Sequence, residues 1–128
     1  MKKYLLIAAL SGLLAVILGA FGAHGLKAQI PDVALDSYKT GVAYQFYHTF
    51  ALFTAMIIYK LWNSALFKTA ALFFSLGILF FSGSIYILST GSLWLSHIPA
   101  FIGPITPIGG LFFITGWILL FLGIIKKI

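Results

Sequence analysis

The chain has 128 residues, 62% of them apolar and 8% charged, with mean hydropathy +1.11 and a formal net charge of +6. This composition excludes an ordinary water-soluble domain, about a quarter of which is charged, and a disordered chain, which needs low hydrophobicity and high charge. With eight Lys, two Asp and no Arg, Glu or Cys, disulfides, thiolate metal sites and Cys nucleophiles are excluded too, and the scattered lysines make no patch for nucleic acid.

A membrane crossing needs about 20 predominantly apolar residues. Four stretches qualify, at about 4–26, 40–60, 66–90 and 106–125, and they predict an all-α integral membrane four-helix bundle forming one domain over 1–128. The first stretch follows Met1-Lys2-Lys3, the form of a signal peptide. Its apolar run exceeds a usual signal core, so a retained helix is expected. On it Ala8, Gly12, Ala15, Gly19 and Gly22 share one face, a seam that lets another helix approach closely, within the protomer or between protomers. The connection at 27–39 is short and polar. Pro31 and Asp32 there can start a small interfacial helix, with Ile30, Val33 and Leu35 resting on lipid.

The second stretch carries Gly41, Gln45, His48, Leu52, Ala55 and Tyr59 on one stripe, with Tyr44 at its edge. The third carries Ser75, Leu79, Ser82, Tyr86 and Ser89. The segment 91–105 is too apolar for a free aqueous loop, which leaves an interfacial or a re-entrant path. In the fourth stretch Thr106 is read as a cap and Pro107 as first-turn proline. Gly109, Gly116 and Gly123 then recur every seven residues, a second packing seam.

Alternating sides sort the lysines. Lys2, Lys3, Lys60, Lys68, Lys126 and Lys127 fall on one face. Lys27 and Lys39 fall on the other, beside Asp32 and Asp36. A six-to-two bias predicts both termini in the cytoplasm and a multi-pass protein of the cell (inner or plasma) membrane. Tyr4, Tyr59 and Trp62 are expected as anchors at the cytoplasmic boundary, and Tyr38 and Trp94 at the outer one.

Counted from the outer ends at 1.5 Å per residue, His48, Ser82 and Thr115 lie at one level about 12–14 Å deep, with Gln45 and Tyr86 nearer the mouth. Polar groups inside a span usually face the bundle interior. His48, Gln45, Tyr44, Ser82, Tyr86 and Thr115 are therefore the candidate pocket, and helix-to-helix hydrogen bonding is the competing role. Both carboxylates sit in one loop, so acid–base catalysis by paired carboxylates within the membrane and a triad through His48 are excluded. Ser82 or Ser84 with His48 would be at most a minimal dyad. His24, His97 and Asp32 share the outer side as scattered metal-ligand candidates without close spacing. Only His48 is deep, which argues against paired ligation of haem, and no glycine-rich phosphate loop is present. No cofactor and no catalytic residue is expected.

The strings GAFGAHGL (19–26), TGVAYQFYHTFAL (40–52), FSGSIY (81–86), GPITPIGG (103–110) and GW (116–117), in this order, resemble the domain of unknown function 423 family of small four-helix membrane proteins (YwdK- and YgdD-like). The eukaryotic transmembrane protein 256 looks related. The resemblance implies architecture and no activity. It covers His24, Gly25, Tyr44, Gln45, His48, Ser82, Gly83, Tyr86, Pro104, Thr106, Pro107, Gly109, Gly110 and Trp117, among others. The expected function is a homo-oligomer, dimer or trimer, in the lipid bilayer, whose outward-facing polar pocket binds or passes a small ligand, ion or lipid group. A structural or assembly protein is the alternative, and a lipid-active membrane enzyme the third reading.

Overall fold

The computed structural model describes residues 1–128 and is entirely helical. Four helices are long and apolar enough to cross a membrane: α1 (Lys2–Leu26), α2 (Asp32–Trp62), α3 (Ala65–Leu93) and α4 (Ile102–Ile125). Each matches one of the four predicted stretches.

The boundaries follow local chemistry. Pro31, in extended conformation, precedes the first turn of α2, where Asp32 faces the positive end of the helix dipole. The helix does not stop at a short interfacial segment as expected. Leu35 and Tyr38 bury inward and carry it unbroken into the span, and Ile30 is buried with them, leaving only Val33 of the predicted lipid contacts exposed. Asn63, in the left-handed region at φ 46°, ends α2. Ser64 follows in extended conformation and α3 starts at Ala65, so this tight turn lays α3 antiparallel beside α2.

α4 starts at Ile102, four residues before the expected cap. Pro104 occupies its first turn, Pro107 lies inside it, and Thr106 bonds to α3 instead of capping. Between α3 and α4 no re-entrant helix forms. A short 3₁₀ turn (Gly91–Leu93) leads into irregular backbone, and Ile98 folds back onto buried Gly91. Two π turns, Gly22–Leu26 in α1 and Ile78–Ser82 in α3, interrupt otherwise regular helices.

The helices pack in chain order, α1 on α2, α2 on α3 and α3 on α4. Both small-residue seams are occupied within the chain. Ala8 and Ala15 are fully buried, a Cβ on Gly19 would touch Val42, and Gly22 lies against the ring of Tyr38. On α4, Gly123, Gly116 and Gly109 receive Phe67, Phe74 and the backbone at Phe81, while Gly77 of α3 receives Phe113 in return. The seams therefore no longer argue for contacts between protomers. Two anchors are corrected as well: Tyr4 and Tyr38 are core residues, while Trp62 and Trp94 stay exposed.

Candidate functional site

Two groups of polar side chains lie on neighbouring faces of α2. The first lies where α1, α2 and α3 meet, and its bonds run in one direction. Tyr86 Oη donates to Gln45 Oε1 (2.5 Å), and Gln45 Nε2 donates to the carbonyl of Ser11 (2.9 Å). Thr49 Oγ1 donates to the carbonyl of Gln45 (2.7 Å), so at the 2.7 Å contact between Ser11 and Thr49 it is Ser11 that donates. Every proton has one acceptor, and the orientation of the Gln45 amide follows from its neighbours. One turn outward, Ser82 Oγ donates to the carbonyl of Gly41 (2.7 Å). Gly41 is required there, since a Cβ would lie 2.9 Å from Ile85 Cγ2. Tyr38 extends the group, with its ring 5.3 Å from that of Tyr86 and its hydroxyl on the carbonyl of Leu18.

The second group lies between α2 and α4. His48 Nδ1 is 2.7 Å from the carbonyl of Tyr44, and His48 Nε2 is 3.2 Å from Trp117 Nε1. A carbonyl only accepts and an indole N–H only donates, which assigns a neutral imidazole protonated on Nδ1. Its ring stacks on Phe113, centroid to centroid 3.4 Å at 11°. α2 and α4 themselves stand apart, and these side chains span the gap. What is left is a groove of about 570 Å³ lined by Tyr44, Tyr47, His48, Phe113, Ile114 and Trp117, opening sideways toward lipid. Tyr44 and Tyr47 are exposed (39% and 61%) near the middle of α2, and neither phenol has a hydrogen-bond partner in the chain.

The six candidate residues thus do not share one outward-facing pocket. Gln45, Ser82 and Tyr86 belong to the first group, and His48 and Tyr44 to the second. Thr115 joins neither: two residues from both Phe113 and Trp117, it points away from them and bonds the carbonyl of Leu111 (2.8 Å). Azimuth separates the groups. Ser11, Thr49, Tyr47 and Phe113 were missed. Of these, Ser11 was accessible as the polar residue one turn before Ala15 of the small-residue seam, and Thr49 as the polar residue one turn after Gln45.

No serine–histidine dyad is assembled, because Ser82 donates to Gly41, Ser84 to the carbonyl of Phe81, and both His48 nitrogens are engaged. His24, His97 and Asp32 are exposed and do not gather into a metal-ligand cluster. No buried side-chain polar atom lacks a partner.

Residues 18–110 match the family described as protein of unknown function (DUF423). The chain is 42% identical over 127 residues to the UPF0382 membrane protein YwdK of Bacillus subtilis, covering 98% of both chains. It is 41% identical over 126 residues to the UPF0382 membrane protein SAB0533 of Staphylococcus aureus, again 98% of both. The UPF0382 inner membrane protein YgdD of Escherichia coli K12 is 38% identical over 122 residues, 95% of this chain and 88% of that one. No solved structure matches the chain.

Proposed function

The chain belongs to the DUF423 family of UPF0382 membrane proteins, whose function is unknown, and from that premise we propose that it is a non-enzymatic membrane protein that binds a lipophilic molecule with a hydrogen-bonding head in the α2/α4 groove. One observation carries this reading: Tyr44 and Tyr47 line that groove within a membrane-spanning helix, and neither phenol has a hydrogen-bond partner in the chain. A polar group left unpaired in hydrocarbon is costly, so a bound acceptor at that level lowers the free energy. His48 supports the site without being its ligand atom, since both of its nitrogens already have partners.

The protein resides in the cell membrane with both termini cytoplasmic, on the six-to-two lysine asymmetry and the printed name of the Escherichia coli relative as an inner membrane protein. Self-association as a dimer or trimer belongs to the same proposal. Cross-linking in native membranes should trap one defined multimer, and a monomer alone removes that part.

Native mass spectrometry of the protein extracted from its own membranes tests the ligand. The wild type should carry a discrete adduct that Tyr44→Phe and Tyr47→Phe together lose without a change in melting temperature. Identical spectra for the two proteins would sink the proposal. A second reading, a purely structural or assembly protein, is favoured by the complete pairing of buried polar atoms. It expects no adduct in either protein.

A further inference from the structure

α1 and α3 touch only sparsely, and the gap between them is a groove of about 430 Å³ with leucine and isoleucine walls, exposed Ile7 and Leu14 on one side, exposed Leu72 and half-buried Leu76 on the other. Ser11, Gln45 and Ser75 line its floor, the first two already bonded to each other and Ser75 to the carbonyl of Ala71. Lys3 lines one end, its ammonium held 5.0 Å from the ring centroid of Tyr4. Lys68 is exposed one turn before Leu72 on the same face of α3, so each wall of the groove carries one lysine at that end.

We propose that this groove is a binding site for an anionic phospholipid, with one acyl chain between α1 and α3 and the phosphate between Lys3 and Lys68. Two features select this occupant. From Lys3 to Leu14 the groove runs about 16 Å along α1, close to half of a hydrocarbon core of about 30 Å, the depth reached by one acyl chain from its own leaflet. Charge provides the second. Six lysines and no acidic side chain lie at this end of the molecule, since Asp32 and Asp36 are both at the start of α2, at the other end. A second copy lying parallel would bring lysines against lysines, whereas an anionic headgroup brings the opposite charge to the mouth of an apolar slot. Neutral headgroups gain only the acyl contact.

The site is independent of the α2/α4 groove, and its test uses the full chain in a non-ionic detergent with phosphatidylglycerol or phosphatidylcholine of identical acyl chains. Binding is read by native mass spectrometry. A lysine near an anionic surface contributes about fivefold, so the two together predict a preference of about 25-fold for phosphatidylglycerol. Lys3→Gln with Lys68→Gln should abolish that preference, while Lys126→Gln with Lys127→Gln should keep it. Leu76→Trp, which fills the slot, should weaken both lipids. The lysine variants alter only exposed side chains and decide the matter even if Leu76→Trp does not fold.

Equal affinity for the two lipids overturns the proposal, as does a preference that survives loss of Lys3 and Lys68 or follows Lys126 and Lys127 instead. Glycerol phosphate binding as tightly as the lipid would reduce the site to a bare anion contact. A dimer that Leu76→Trp dissociates would assign the groove to a second copy of the chain.

Discussion

Two joints built from small residues on membrane helices are closed by different forces. Between α3 and α4 the closure is shape: Phe67, Phe74 and Phe81, seven residues apart, meet Gly123, Gly116 and Gly109 at the same interval, and Phe113 enters the notch at Gly77. Between α1 and α2 the small residues bring the helices close enough for Ser11, Gln45 and Thr49 to bond across the contact. Without a hydrophobic driving force in lipid, packing and hydrogen bonding are the means available to hold helices together. The contrast teaches that a small-residue seam does not specify its partner. What it meets, a ring or a hydroxyl, decides how the joint responds to change.

The sharpest way to break the comparison is Gly109→Ala. The new Cβ would lie 2.6 Å from Phe81 Cα, where backbone has to move, and a loss of about 3 kcal/mol is expected in unfolding experiments. Gly110→Ala is its control, since the nearest atom is 3.9 Å away, and little change there would tie the cost to shape. If both alanines behave alike, the interlock is not what closes α3 on α4.

Gln45→Leu comes next, at about 1–2 kcal/mol, because it leaves the Tyr86 hydroxyl without its acceptor and removes the side-chain bond that ties α2 to the Ser11 carbonyl. The same experiment should loosen α1 more than α4, read as faster hydrogen exchange in 2–26. Uniform loosening would mean that the two joints are one cooperative unit. His48→Ala is expected to cost about 1 kcal/mol through lost stacking on Phe113. Trp117→Phe keeps the ring near His48 but removes its single bond to that residue, at about 0.6 kcal/mol. A larger loss from Trp117→Phe than from His48→Ala would make the indole, not the imidazole, the strut between α2 and α4.

How far these joints can be read from sequence depends on which coordinate is asked for. Periodicity yields the face of a single helix, so the stripe Gly41, Gln45, His48, Leu52 and Ala55 is buried as expected. Position along a helix axis is also legible, because rise per residue is fixed. The rotation of one helix about another is not. Thr115 was therefore grouped with His48 although it points elsewhere, and Gln45 and His48, three residues apart, reach different neighbours. On α3 the expected stripe fails at Leu79, which is 64% exposed, because the π turn at Ile78–Ser82 shifts the phase that a regular helix would keep. The phenylalanine interval 67, 74, 81 was present in the sequence. Aromatic residues are so abundant in this chain that only its glycine counterpart stood out.

That π turn has a consequence for chain length. A wide turn holds one residue more than a regular one needs, so α3 carries a spare unit of length at a place where Leu79 is largely exposed. Removing Leu79 would let the turn tighten to regular geometry while Phe74 and Tyr86 kept facing the neighbours they face now. The same deletion in the uninterrupted middle of α4, at Leu119, would swing everything beyond it by about 100° and take Gly123 off Phe67. Loss of one residue is therefore expected to be tolerated at this point of α3 and to break the fold along the glycine ladder of α4.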